Sequence, residues 1–111
     1  MAEILGLFSQ GILTTAYQTI YTVPAGETFI PKTISFCNIG SDIGSVSINF
    51  VAGGEVAAEK NYIVKDRTVV PPDTGFLNSD MFLQSGFTIQ AKCNTNNLIN
   101  YQVSGVKITN G

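Results

Sequence analysis

The sequence predicts an all-β protein: a single β-sandwich or jelly roll of about eight antiparallel strands, with an N-terminal arm. Three observations carry this. No stretch repeats apolar residues at the three- and four-residue spacing of an amphipathic helix. Strand-favouring residues instead come in short alternating runs. Gly, Pro, Asn and Asp interrupt those runs every 8 to 12 residues or so, the rhythm of sandwiches and jelly rolls. At 111 residues the chain holds one core of normal size, so residues 1–15 read as an arm or edge strand and residues 16–111 as the sandwich.

The first alternating run spans residues 17–23, with Tyr17, Thr19, Tyr21 and Val23 on one face and Gln18, Ile20 and Thr22 on the other. It ends at Pro24-Ala25-Gly26, where residues 23–26 suit a type I turn. The next strand, residues 28–38, places Ile30, Ile34 and Phe36 on one face and Phe29, Thr33, Ser35 and Cys37 on the other. Pro31 inside it cannot donate to a ladder, which predicts an edge or a bulge there. After a glycine-containing loop, residues 45–51 point Val46, Ile48 and Phe50 inward and Ser45, Ser47 and Asn49 outward. Residues 55–60 read as a loop or single helical turn, followed by strands at 61–65 and 67–70 and a breaker at Pro71-Pro72-Asp73-Thr74-Gly75. Short paired pieces are expected at 76–78 and 81–83. The clearest pair closes the chain: residues 87–93 with Phe87, Ile89, Ala91 and Cys93 inward, and residues 98–108 with Ile99, Tyr101 and Val103 inward. Gly105 marks an expected bulge, beyond which Val106 and Ile108 change register.

Composition bears on function. Charged residues make up 13% of the chain, against about 25% in an average soluble domain, while apolar residues make up 44%. A small domain leaves much of its surface in water, and here that surface must rely on Ser, Thr, Asn and Gln. Interface cores are depleted in Lys, Glu and Asp, so a permanently assembled subunit would show this balance. The net charge of −2 and the lack of any basic cluster argue against nucleic acid and against a polybasic membrane contact. The apolar run at residues 4–8 is preceded by Glu3 and interrupted by Gly6, which predicts neither a signal peptide nor a membrane span. A cytoplasmic origin follows as an expectation, with Cys37 and Cys93 read as buried thiols and a Cys37–Cys93 disulfide as the alternative, since both sit near predicted strand ends.

Reactive constellations are scarce. The chain has no histidine, which removes the commonest general base and metal ligand, so an enzyme is not expected, nor a metal or cofactor site. Asp66 with Asp73 or Asp80 could be drawn as an acid–base pair, but they read as solvated turn residues. Asn38 and Asp42 supply too few acidic ligands for a calcium loop. Tyr17 and Tyr21, two aromatic residues on one strand face, are the candidate platform for a carbohydrate or for a subunit contact.

The run Tyr21-Thr22-Val23-Pro24-Ala25-Gly26-Glu27-Thr28, then Phe36-Cys37-Asn38 and Val46-Ser47-Ile48-Asn49-Phe50, resembles a family of small tailed-phage virion proteins. Ser85-Gly86-Phe87-Thr88-Ile89-Gln90-Ala91-Lys92 and the closing Val103-Ser104-Gly105-Val106-Lys107-Ile108 belong to the same likeness. The resemblance covers residues 12–108 and implies a capsid decoration or cement subunit, or a component of a tail fibre or baseplate. It further implies a virion location after synthesis in the host cytoplasm, self-association as a homotrimer, and binding to virion proteins such as the major capsid protein. A tail-fibre role would instead imply a host-surface carbohydrate or receptor. Ile4, Leu5, Leu7 and Phe8 of the arm are the expected assembly contacts, and removal of residues 1–11 is expected to weaken assembly while leaving the sandwich folded.

Overall fold

The computed structural model describes residues 2–56, 58, 61–79 and 81–109. Their eight strands are β1 (Ala2–Ile12), β2 (Gln18–Thr22), β3 (Glu27–Asn38), β4 (Gly44–Val51), β5 (Tyr62–Val69), β6 (Thr74–Asn78), β7 (Thr88–Cys93) and β8 (Ile99–Thr109). They form two four-stranded antiparallel sheets, sheet A in the order β1-β8-β3-β6 and sheet B in the order β2-β7-β4-β5. The chain crosses between sheets at every connection except the β4–β5 hairpin. This interleaving is the topology of an eight-stranded jelly roll. Residues 2–12, read from sequence as an arm or edge strand, form the outer strand of sheet A, paired with β8 along their length.

The core lies between the sheets. Sheet A contributes Phe29, Ile34, Phe36, Ile99, Tyr101 and Val103, and sheet B contributes Ile20, Val46, Ile48, Phe50, Ile89 and Ala91. Alternation within each strand makes this interior apolar, as a two-sheet sandwich requires. Sheet A is the longer, because β1, β3 and β8 run to 11 or 12 residues while β2 and β7 have 5 and 6. At its overhanging end Lys107 on β8 pairs with Glu27 on β3 at 3.5 Å.

Bulges explain where the simple alternation failed. In β2 the register shifts between Thr19 and Tyr21, so Ile20 is buried and Tyr21 also packs against the core. In β3 Lys32 is the extra residue between Pro31, paired with Gly105, and Thr33, paired with Ser104. The bulge therefore does occur at Pro31, but within a central strand. It also reverses the face of everything before it, which makes Phe29 a core residue beside Ile34 and Phe36. The bulge expected at Gly105 lies on its partner strand instead. β8 keeps its parity, and Val106 and Ile108 point to the outer face with Ile30 and Thr28. Gly105 is required there for closeness, since a Cβ would fall 2.1 Å from the Ile30 carbonyl oxygen.

Other expectations shift by small amounts. The turn after β2 is Pro24–Glu27, closed by the Glu27 N–H on the Pro24 carbonyl at 3.2 Å, with Gly26 third at φ 77°. A positive φ at that position makes it type II rather than type I. The strands expected at 61–65 and 67–70 are one strand, β5, bent at Asp66. Of the piece expected at 81–83, only Leu83 pairs, in a single bridge to Phe29. The segment 55–60 falls partly on residues 57, 59 and 60, which lie outside the described residues.

Candidate functional site

The two outer faces of the sandwich differ in chemistry. Cross-strand partners in a sheet project from the same face, so the ladders of sheet A order its outer surface in rows. These are Glu3–Ile108–Thr28, Leu5–Val106–Ile30 and Leu7–Ser104–Thr33–Asn78, then Gln10–Gln102–Ser35–Phe76 and Ile12–Asn100–Cys37–Thr74. Glu3 is the single charged residue among these paired positions, and Lys32, the extra bulge residue between Pro31 and Thr33, is exposed beside them. Leu5 is 76% exposed and Leu7 52% exposed, and beyond them Phe76 and Ile12 are exposed as well. Covering such a face strips water from methyl groups, hydroxyls and amides but from almost no charge, which removes the largest cost of burying protein surface. Met81 and Phe82 add exposed apolar surface next to the Phe29–Leu83 bridge.

The four residues expected as assembly contacts divide into two groups. Ile4, Leu5 and Leu7 are exposed, whereas Phe8 falls at a bulge between Leu7 and Ser9 and turns inward. Its ring stands edge-on to Phe29 at 5.2 Å and to Tyr21 at 6.1 Å, and Tyr21 lies 4.5 Å from Phe29. Beside Phe8, the Ser9 hydroxyl donates to the Ile20 carbonyl of sheet B. The first strand is thus stitched into the sandwich, and removing residues 1–11 would take a β8 ladder and a core ring with it.

Sheet B presents a polar outer surface. Ser47 and Asn49, expected to face water, are buried because β5 and the residues after β4 fold over them. The Ser47 hydroxyl accepts the Asp66 N–H at 2.9 Å and donates to its carboxylate at 3.2 Å, while Asn49 donates to the Ala58 carbonyl at 3.3 Å. Asp66 adopts φ 49° where β5 loses register with β4. That left-handed backbone is tolerated by a short polar side chain held by its neighbour. Lys92 sits 4.7 Å over the Tyr17 ring and Lys65 sits 5.4 Å over the Tyr62 ring. A shallow groove of about 250 Å³ is lined by Thr15, Ser45, Ser47, Asp66, Lys92 and Asn94.

Tyr17 and Tyr21 do not form a shared platform. Tyr21 belongs to the Phe8–Phe29 ring cluster, and burial first, then the Glu27 carboxylate, raises its pKa. Tyr17 lies under Lys92 with its hydroxyl buried and, among the described residues, without a hydrogen-bond partner. Burial first, then the neighbouring Tyr62, raises its pKa well above the ordinary phenol value. Asp66 and Asp73 line different depressions, and Asp80 lies outside the described residues. Asn38 is a structural residue: buried, it donates to the Asp42 and Val69 carbonyls at 2.8 Å each and accepts the Gly40 N–H at 3.0 Å. Among the described residues no three of His, Cys, Asp and Glu converge as a metal site. Both cysteines are free, Cys93 in the core and Cys37 on the outer rows of sheet A.

Arg67 is a residue that the sequence did not single out. Its guanidinium lies 5.1 Å over the Phe36 ring and donates to the Phe76 carbonyl at 3.0 Å, closing the sandwich between β5 and β6. A lone arginine in a short strand carries no sequence signal for this. No protein-family model matches the chain, and no curated protein matches it.

Proposed function

We propose that this protein is a non-enzymatic structural subunit of a phage virion, a capsid decoration or cement protein that binds the capsid surface through the outer face of sheet A. The observation that carries the reading is the scarcity of charge on that face, where Glu3 is the one charge in the paired rows and Lys32 the one at the bulge beside them, among Leu, Ile, Val, Ser, Thr, Asn and Gln. That face is broad and is built on four hydrogen-bonded strands. Jelly rolls recur in viral capsid proteins, which supports the reading by analogy only, and the sequence resemblance to small tailed-phage virion proteins points the same way. In this proposal the chain is made in the host cytoplasm, assembles with its own copies as a homotrimer, and docks on the major capsid protein. Mass spectrometry of separated heads and tails is the test. Recovery with heads is expected, and absence from both fractions would overturn the proposal.

A second reading, an adsorption protein of a tail fibre or baseplate that binds a host-surface carbohydrate, draws on the groove of sheet B. Hydroxyls of Thr15 and Ser45 beside the Asp66 carboxylate and the Lys92 ammonium group suit a polyhydroxylated ligand. Glycan-array binding that is lost in Asp66→Asn, which keeps a side chain suited to the left-handed backbone, would favour it over capsid decoration.

A further inference from the structure

We infer that β1 is a pairing edge for a second copy of this chain, in which residues 3–7 of two copies run antiparallel about a twofold axis at Leu5 and join two copies of sheet A into one eight-stranded sheet. An unpaired strand edge presents a row of backbone donors and acceptors that only another extended chain can satisfy in register. The sandwich has four such edges, and three of them carry protective features. β6 is five residues long and follows Pro71-Pro72, β2 is five residues long and bulged, and β5 carries Lys65, Asp66 and Arg67 in succession with Asp66 in a left-handed conformation. β1 has 11 residues, no proline and Glu3 as its only charge. Its bulge between Leu7 and Ser9 ends the regular edge, which limits the pairing segment to residues before Phe8.

That segment is complementary to itself. With the axis at Leu5, the most exposed of its large apolar side chains at 76%, Leu5 meets its own counterpart. The outer row Leu5–Val106–Ile30 then continues through the seam as six aliphatic side chains. In the same register Ile4, 48% exposed, lies opposite Gly6 of the other copy, and Gly6 has nothing within 4 Å of where a Cβ would stand. The open space over Gly6 is a seat for Ile4, once on each side of the axis. Glu3 falls opposite Leu7, and the two Glu3 residues are four positions apart, about 14 Å at strand rise, beyond the Debye length of about 8 Å at physiological salt. No like charges face each other. The seam is roughly 17 Å long and buries less than the about 1,200 Å² of a standard stable complex. The dimer is therefore weak and concentration-dependent, and stronger where subunits are held side by side. This contact is twofold, distinct from the threefold association that the resemblance implies, and it does not depend on the virion reading.

Analytical ultracentrifugation of the full chain over a concentration series tests the inference, with Leu5→Lys, Gly6→Val and, in a Cys37→Ser background, Leu5→Cys. The parent is expected to move from monomer to dimer as concentration rises. Leu5→Lys should raise the dissociation constant roughly a hundredfold, a factor of ten for each leucine withdrawn from the seam. Gly6→Val fills the seat and should weaken the dimer with an unchanged melting temperature. Leu5→Cys should give a disulfide-linked dimer under mild oxidation. A parent that stays monomeric throughout, a dimer or trimer indifferent to Leu5→Lys, or a Leu5→Cys protein that does not cross-link would each overturn the inference. Should any of these occur while the protein still copurifies with heads, capsid docking stands and only the edge pairing falls.

Discussion

Phe8 and Leu5 are three residues apart on one strand, and substituting each separates folding from assembly. Replacing a fully buried Phe with Ala costs about 3–5 kcal/mol. Phe8 is only partly buried, so about 2 kcal/mol is expected from lost burial, and its edge-on contacts with Phe29 and Tyr21 add roughly 0.5–1.5 kcal/mol. Leu5 keeps 76% of its surface in water, so Leu5→Ser loses about a quarter of the 1.5–3 kcal/mol that full burial is worth, roughly 0.5 kcal/mol. At about 4 °C per kcal/mol for a domain of this size, Phe8→Ala should melt roughly 10 °C below the parent and Leu5→Ser about 2 °C below. Differential scanning calorimetry reads the first quantity, and cosedimentation with capsids lacking the protein reads the second. The order should invert between them: Leu5→Ser binds capsids poorly while nearly as stable as the parent, and folded Phe8→Ala binds well. A Leu5→Ser protein that melts as low as Phe8→Ala would refute the assignment of Leu5 to a solvent-facing row. Equal capsid binding by the two would refute the docking face.

Three further outcomes follow from the packing. Gly105→Ala should cost about 2–3 kcal/mol in urea denaturation, because its Cβ would collide with the Ile30 carbonyl and crowd the Lys32 N–H, both backbone atoms of a bulge; an unchanged midpoint would contradict the bulge geometry. Asn38→Ala orphans two carbonyls and an N–H, and should cost about 2–3 kcal/mol and speed amide exchange at Gly40, with unaltered exchange as the contrary result. Raised pKa values at Tyr17 and Tyr21 mean that the folded state holds those phenol protons more tightly than the unfolded chain. Their contribution to stability is complete below pH about 10 and lost as the pH climbs from there through the raised folded values. Tyr17→Phe, which deletes a buried hydroxyl without a partner, should be no less stable than the parent at pH 8 and lose less above pH 10; an identical decline in both proteins would exclude Tyr17 as a source.

The fold class was legible because alternation and turn residues are local signals, and in a two-sheet protein they coincide with the global layout. Val46, Ile48 and Phe50 needed nothing beyond their own period to be placed inside. Phe29 and Tyr21 were misplaced because a single inserted residue in β2 or β3 flips every side chain on one side of it, and Val106 because the bulge was assigned to Gly105 on β8 when the extra residue is Lys32 on β3. Ser47 and Asn49 were misread for another reason: their burial depends on β5 and residue 58, which come later in the chain. Of the candidate contacts, Leu5 and Leu7 could be separated from Phe8 only by the bulge that turns Phe8 inward. The charge-poor face was foreshadowed by composition, but its location was not, since it is assembled from four strands that are distant in sequence.

The partition of charge also gives the proposed subunit an orientation. Sheet B and its edge hold Lys65, Asp66, Arg67 and Lys92, and most of these side chains are engaged with Tyr62, Ser47, Phe36 or Tyr17 of the same chain. Burying that surface against a capsid would require dismantling satisfied contacts and desolvating charges. Sheet A asks for less, since its outer rows carry Glu3 alone, with Lys32 at the bulge beside them. Docking by sheet A would leave the charged face toward water, where it maintains solubility and where a polar groove would be reached by any ligand arriving from outside. The carbohydrate reading and the decoration reading therefore use opposite faces of one sandwich. Each can be disabled without touching the other, by Asp66→Asn on sheet B and Leu5→Ser on sheet A.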